Sequence, residues 1–363
     1  MMKTLMTKRN DKFELNTGVI FWQPDDEFSS LLADTLQDFG CQTISFLPDA
    51  KLPDGLDVVF ALGPFGSLVP IANQLLDCLP SKRPQLVLWM TEQFPDPSLP
   101  EWFRYGGGIF RSYIEQLAFR RQDQGDWQII PQLEWLTTKA HRFRYYGDLF
   151  WLQHKNILSV LAIGSQWTAA FLRRRGFDPV TAYYGFRPDM GKDLNLERDI
   201  PVLWLGKMGT DRRKDVLQHI RASLRDRGVE ILVVDGVENP YVFGEERTVL
   251  LNRTKITLNL LRQKWDNHSL RYYLASSNRV MVVSEPTFQH IPFVTGEHVV
   301  EIPFEQMADT ICYFLSHDEE RQQIANQAHQ LVTTELTFEH ALFQILERVA
   351  LAQMNDSSNE KKR

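Results

Sequence analysis

The stretch Thr254–Glu285, TKITLNLLRQKWDNHSLRYYLASSNRVMVVSE, decides how the rest of the chain is read. Its first part, ITLNL, is a short apolar run ending on the polar Asn259. From Asp266 to Ser277 the spacing predicts a helix, capped by Asp266 or Asn267, with Leu270, Tyr273, Leu274 and Ser277 on one face. Arg279-Val-Met-Val-Val-Ser284 is a β-branched run that reads as a strand buried on both faces, and it stops at Glu285-Pro286. The pattern is strand–helix–strand, with polar residues where the strands end. In open parallel sheets, ligands bind beyond the carboxyl ends of the strands. Asn259, His268 and Glu285 all fall on that rim.

The same rhythm extends outward in both directions. Thr17–Trp22, Cys41–Phe46, Leu56–Leu62 and Gln85–Met90 read as strands alternating with helical patterns, and Ser159–Ser165 adds another strand. It restarts at Ile200–Gly206 and continues through VEILVVDG. Between the halves lies RPDMGKDLNLER, polar and broken by Gly and Pro, which predicts an interdomain linker over 187–199. The expected organisation is an N-terminal tail (1–16), a Rossmann-like domain (17–186), the linker, a second Rossmann-like domain (200–336), a C-terminal helix (337–353) and a polar, disordered tail (354–363). Two segments of the first half break the rhythm. TEQFPDPSLPEWFRYGGG reads as a long loop, followed by helices over 109–121 and 130–154.

Composition narrows the function. The 363 residues suffice for two domains, and 43% hydrophobic with 24% charged residues is ordinary for a globular protein. A net charge of −6 argues against nucleic-acid binding, which needs a basic surface. Cys41, Cys78 and Cys312 are odd in number and far apart, so neither a disulfide framework nor a zinc site is expected. The N-terminus lacks a signal-peptide core, and no run is long enough to span a membrane. These features point to a cytoplasmic protein and leave peripheral membrane contact open.

The opening stretch resembles the C-terminal half of two-domain GT-B glycosyltransferases of group 1, a family that includes spore-maturation-type enzymes. The shared pattern is Thr254–Leu260, a helix carrying Arg271, the turn Leu274-Ala275-Ser276-Ser277-Asn278, and Val282–Glu285. It continues through FVTGEHVVEIPFEQMADTICYFLSHDEERQQIANQAHQLV. Many members carry two glutamates eight residues apart around this helix; this chain has His268, Tyr272 and Leu274 there. The resemblance implies an α/β protein in which two Rossmann-like domains with parallel sheets face each other across a cleft. It also implies transfer of a sugar from a nucleotide-sugar donor to a glycan, lipid or small-molecule hydroxyl.

Several residues are candidates for that chemistry. Gly206-Lys207-Met208-Gly209-Thr210-Asp211-Arg212-Arg213-Lys214 is a glycine-containing turn that opens a helix with three cations. Cations there oppose the helix dipole, and a bound anion would remove the conflict. Alternatively, Asp211 caps the helix and the long side chains are solvated. The resemblance places this loop against the donor's diphosphate, held by Arg212 or Arg213. Glu285 can accept two hydrogen bonds from a ribose diol, or cap the next turn. Arg271 can bind phosphate or pair with a surface acid, and Asn259 can line the donor or satisfy a turn. His268 can touch the donor sugar or be a polar first-turn residue. In the first half, Gly63 and Gly66 permit close approach of an acceptor or form a tight turn. Glu92 follows a strand where the resemblance places an acidic element, making it a candidate acceptor-side base or hydroxyl orienter, and equally a cap.

Asp25-Asp26 reads as a helix start rather than a metal pair. Arg173-Arg174-Arg175 reads as a helix end stabilised by the dipole. The aromatic residues Trp135, Phe143, Tyr145, Tyr146, Phe150 and Trp151 read mainly as core, with one or two rings open to stacking on a sugar acceptor. No cofactor and no metal are expected, the nucleotide-sugar being a substrate. The rival readings are a GT-B-like binding or structural protein with a decayed site and a nucleotide-sugar epimerase. A dinucleotide oxidoreductase ranks third, because no strand is followed by Gly-x-Gly-x-x-Gly.

Overall fold

Strands that are β-branched and apolar along their whole length need cover on both faces, and helices packed on each side of a parallel sheet supply it. The computed structural model describes residues 13–63, 65–91, 98–121, 127–129, 143–263, 270–287 and 292–360. Contacts divide the chain into two units: Met1–Ala182 with Leu342–Arg363, and Tyr183–Ala341. Each unit carries its own parallel sheet, so the chain is a protein of two Rossmann-like domains.

The first unit is built on β1 (Asn16–Ile20), β2 (Gln42–Phe46), β3 (Val58–Gly63) and β4 (Gln85–Met90). Between and after them run α1 (Glu27–Asp38), α2 (Val69–Asp77) and α3 (Glu101–Ala118). A short antiparallel pair follows, β5 (Phe119–Arg121) with β6 (Trp127–Ile129). Then come α4 (Arg144–His154), β7 (Leu158–Ile163), α5 (Gln166–Arg173) and β8 (Val180–Thr181). The main sheet is parallel, in the order β2-β1-β3-β4-β7-β8. Its direction of growth reverses between β1 and β3, which makes their carboxyl ends a topological switch point. Val58–Leu62 and Leu86–Trp89 are essentially inaccessible to solvent. Each such aliphatic side chain contributes about 1.5–3 kcal/mol of burial. Asp26 does cap a helix: its carboxylate accepts from Ser29 N at 3.1 Å at the start of α1.

The stretch read as a long loop through Gly108 is corrected here. α3 begins at Glu101 and runs straight through Gly106-Gly107-Gly108. Glycine is a poor helix former, but here it sits at a helix crossing. A Cβ at Gly108 would lie 2.8 Å from Gly147 N on α4, and one at Gly147 would lie 1.8 Å from Gly108 O. No larger residue fits at that contact. Of the helix expected over 130–154, residues 143–154 lie within the described residues, and Arg144–His154 is helical; the unexpected strand β6 precedes it in the chain.

The second unit contains β9 (Ile200–Leu205), α6 (Asp211–Arg225), β10 (Ile231–Val234), α7 (Gly244–Asn252) and β11 (Thr254–Asn259). It continues with α8 (Leu270–Ser277), β12 (Met281–Ser284), β13 (Val300–Glu301), α9 (Met307–Ser316) and α10 (Asp318–Thr334). Its parallel sheet has the order β10-β9-β11-β12-β13, with the switch point between β9 and β11. The segment read as a linker is strapped onto this unit. Arg198 donates to the carbonyls of Thr254 (2.6 Å), Leu251 (3.2 Å) and Asn278 (3.0 Å), and Leu194 N donates to Asn252 Oδ1 at 2.7 Å. Part of its polarity thus serves hydrogen bonds to the ends of α7 and α8 and the start of β11.

The last helix, α11 (Phe338–Glu360), joins the first unit from Leu342 onward. Phe343 meets Phe13 and Phe39 with ring centroids 5.8 and 6.2 Å apart, and Arg348 pairs with Asp178. The helix continues to Glu360, past Met354, where composition predicts an unstructured tail.

Candidate functional site

One group of polar side chains of the second unit gathers at the carboxyl ends of β9, β11 and β12. Leu205 ends β9, and Gly206 follows with φ +128°, a backbone that side chains other than glycine's rarely adopt. Met208 and Gly209 (φ +71°) complete the turn, and Thr210 caps α6 by accepting from Arg213 N at 3.3 Å. The cap is therefore Thr210; Asp211, the expected cap, is exposed in the first turn.

The cations of this junction separate into three kinds. Arg213 is buried at 6% exposure. Its Nε donates to Leu260 O at 2.9 Å, and its Nη1 to the carbonyls of Lys207 (3.1 Å) and Met208 (3.2 Å). The expectation that Arg213 itself holds an anion is thereby revised: its donors hold the 206–209 turn against the end of β11. Arg212 lies closer to solvent. It donates to Leu261 O at 2.8 Å and forms a two-pronged ion pair with Glu285, whose Oε2 is 3.0 Å from Nη1. Lys207 and Lys214 are exposed, and neither has a carboxylate partner among the described residues.

Arg271, on α8, reaches back across the strand ends. Its Nε donates to Leu205 O at 2.8 Å, and its guanidinium lies 4.4 Å from the centroid of Trp204. Arg213 lies over the same ring at 5.4 Å. A cation over an indole face is attracted by the ring quadrupole, more strongly where water is excluded, and Trp204 is fully buried. Gly206 completes the arrangement, since a Cβ there would lie 2.5 Å from Arg271 Nη2. The glycine thus admits an arginine of this chain to the strand end.

Glu285 is 3% exposed and also accepts from Leu261 N at 2.8 Å. Asn259 is buried, donates to Ser284 Oγ at 2.9 Å, and offers Oδ1 to Arg271 Nη1 at 3.5 Å. Beneath them runs a polar chain that sequence reading missed. Tyr272 OH donates to Glu301 Oε1 at 2.9 Å, and Glu301 also accepts from Thr287 Oγ1 at 2.6 Å. Burial, with the Glu301 charge second, holds the Tyr272 phenol well above its ordinary range, so it acts as a neutral donor. Only the run of polar residues at consecutive strand ends, Ser284, Thr287 and Glu301, hints at it in the sequence.

Glu92 and His268 lie outside the described residues, as do Asp266 and Asn267 at the expected start of the α8 helix. In the first unit, Gly63 ends β3 with φ +110°, and a Cβ on Gly66 would meet the Trp22 ring at 2.3 Å. That indole donates to Leu62 O at 2.6 Å. The room left by Gly66 is filled by Trp22, which corrects the reading that it is open to an acceptor. Among the described residues, no group of three His, Cys, Asp or Glu side chains could hold a metal, and no helix is long and apolar enough to cross a membrane.

Two parallel α/β units with a cationic switch-point rim on the second define a class: proteins of the GT-B fold. Comparison places the chain there. Anabaena HepE in complex with UDP and glucose superposes with a TM-score of 0.58 at 10% identity, over 93% of this chain and 100% of that one. Sucrose-phosphate synthase from Thermosynechococcus elongatus gives 0.53 at 13% identity, over 95% and 100%. A mutant of S. aureus TarM in complex with fondaparinux, alpha-GlcNAc-glycerol and UDP gives 0.52 at 9% identity, over 80% of this chain. The chain spans 55% of the TarM structure's length. At these identities the likeness defines the fold. No curated protein matches the chain by sequence. Residues 212–347 match the family model described as glycosyl transferase-like.

Proposed function

We propose that the protein is a glycosyltransferase that moves a sugar from a nucleoside diphosphate to an acceptor hydroxyl. The observation that carries this reading is the convergence of Arg271, Arg212 and Glu285 on the carboxyl ends of β9, β11 and β12, inside the segment that matches the glycosyl transferase-like family. UDP in the HepE and TarM complexes supports a nucleotide at such a site.

Arg271 and Arg212 then face the diphosphate, with Lys207 and Lys214 adding charge from the same loop–helix junction. Glu285 takes the ribose hydroxyls. It already accepts from Arg212 and from Leu261 N, so binding makes the diphosphate and Glu285 compete for one guanidinium. During transfer the acceptor oxygen bonds to the anomeric carbon, and the bond from that carbon to the diphosphate breaks. Negative charge grows on the leaving diphosphate, where fixed cations stabilise it, and positioning of the acceptor supplies much of the remaining acceleration. Glu92 is the proposed acceptor-side base or hydroxyl orienter, and His268 the proposed contact to the donor sugar. Because arginines and lysines can neutralise the diphosphate, no metal is required. The acceptor is a glycan, a lipid or a small molecule, and the site of action is the cytoplasm.

The test is a melting-temperature panel with uridine, guanosine, adenosine and thymidine diphospho-sugars, with magnesium and with EDTA. A ligand at 100 times its dissociation constant stabilises by about 2.7 kcal/mol. A shift with one nucleotide, unchanged in EDTA and lost in Arg271→Ala, is expected, followed by nucleoside diphosphate release when acceptor is added. No shift with any nucleotide sinks the reading. A shift without turnover under any acceptor supports the decayed binding protein instead.

A further inference from the structure

Helix α3 is inside out. At 100° per residue, its apolar side chains Trp102, Tyr105, Ile109, Phe110, Tyr113 and Leu117 cover an arc of roughly 140°. That arc faces water: Trp102 is 75% exposed, Phe110 55% and Tyr113 59%. The opposite arc holds Arg104, Arg111, Ser112 and Glu115, and it is buried, Arg111 at 4% and Glu115 at 1%. Arg111 and Glu115 form an ion pair within that buried face. A surface helix ordinarily turns its apolar stripe inward. Between α3 and α4 the exposed arc opens into a groove lined by Tyr105, Ile109 and Tyr113 on one side and by Phe150, Trp151 and Lys155 on the other.

The rim of this surface is basic. Arg175, at the end of α5, ties to Glu101 at the start of α3, Nε to Oε1 at 2.7 Å. Gln153 of α4 ties to Gly176 O at 2.9 Å. These two bonds bring the carboxyl ends of α4 and α5, with His154, Lys155, Arg173 and Arg174, beside the aromatic arc. Among the described residues Lys155 and Arg174 have no carboxylate partner, and Glu101 is already paired with Arg175.

We propose that this face docks the first unit onto a lipid surface bearing anionic headgroups. Helices that lie in the membrane interface place aromatic and aliphatic side chains at the headgroup–acyl boundary and cations beside them. Trp and Tyr suit that boundary because one end of each ring system is apolar and the other polar. Charge decides between lipid and a second copy of the chain. Self-association through this face would bring two basic rims together, whereas anionic headgroups neutralise them. The proposal does not depend on sugar transfer.

The experiment is co-sedimentation of the full chain with phosphatidylcholine vesicles and with vesicles containing about one-third phosphatidylglycerol. Binding to the anionic vesicles, a blue shift of tryptophan emission on binding, and at least tenfold weaker binding in about 0.5 M salt are expected. The triple variant Trp102→Ser, Phe110→Ser, Tyr113→Ser should lose at least tenfold in vesicle affinity, as should Lys155→Glu with Arg174→Glu. Both should melt as the parent does, because the altered side chains are already in water. A parent chain that stays in the supernatant with anionic vesicles overturns the proposal. So does equal binding by the triple variant, or a dimer that the triple substitution dissolves while lipid binding is absent.

Discussion

The two units are built on one plan and end in opposite chemistry. Each has a parallel sheet whose direction reverses at its first strand, between β1 and β3 in one and between β9 and β11 in the other. Each has a glycine with positive φ just where the first or second strand at that reversal ends, Gly63 and Gly206. Beside Gly63 the chain packs rings, Phe65 against the glycine and Trp22 against Gly66. Beside Gly206 it packs the guanidinium of Arg271. The topology creates a crevice at a switch point, and the side chains aimed into it decide what the crevice can do. One rim is aromatic; the other is a cation cluster around one buried carboxylate.

Removing a buried tryptophan from each unit breaks this comparison most strongly. Trp89 and Trp204 are both fully buried in central strands, so either alanine substitution should cost about 3–5 kcal/mol in urea unfolding. Only Trp204→Ala should also weaken nucleoside diphosphate binding, because only that ring underlies Arg271 and Arg213; equal loss of affinity in Trp89→Ala would end the distinction.

Alkali should perturb the first unit next. Burial raises the Cys41 thiol from 9.0 to about 11. The unfolded chain loses this proton first, so the stability held below pH 9 falls as pH rises towards 11, by up to about 2.7 kcal/mol. The fall should be absent in Cys41→Ala, measured by unfolding from pH 8 to pH 11.

Arg212→Ala leaves Glu285 buried without its cation. A broken pair buried on both sides costs about 3–5 kcal/mol, and Arg212 is 32% exposed, so about 2 kcal/mol is expected here. Adding Glu285→Gln should recover most of that stability but none of the nucleotide affinity, which a double-mutant cycle reads directly. The smallest effect belongs to Gly66→Ala. The new Cβ displaces the partly buried Trp22 ring, an overpacking cost of about 1 kcal/mol at the low end of its range. Melting should drop slightly while nucleotide binding stays unchanged.

Much of the architecture is legible in the chain because parallel strands buried on both faces leave an unmistakable mark. The runs at Val58–Leu62, Leu86–Met90, Ile200–Leu205 and Met281–Val283 are apolar over their whole length, and the helical patterns between them leave few alternatives to an open parallel sheet. The glycine triplet was the costly misreading. Propensity makes Gly106–Gly108 a loop, yet Gly108 packs directly on Gly147 and Gly107 on the Phe143 ring at a helix crossing, and propensity is a weak prior against packing.

At the candidate site, the sequence displays the cations of Arg212–Lys214 and the carboxylate of Glu285 because charge next to a strand end is conspicuous. It does not say which arginine faces solvent. Arg213 and Arg212 are adjacent and chemically identical; only their positions on α6 send one beneath the turn and the other to Glu285. Trp204 reads in the sequence as one more apolar strand residue, and Glu301 as one more polar loop residue.

By itself, then, the sequence determined the strand–helix alternation, the two parallel sheets and the rim on which polar residues would collect. Those follow from local periodicity and from the burial each segment needs. Tertiary structure alone decided that Arg213 is a strut, that Arg271 lies on Trp204, that Trp22 fills the space at Gly66 and that α3 turns its rings outward. Each depends on a neighbour distant in sequence, and a side chain's hydrogen-bond partner or burial is a property of that neighbour as much as of the residue itself.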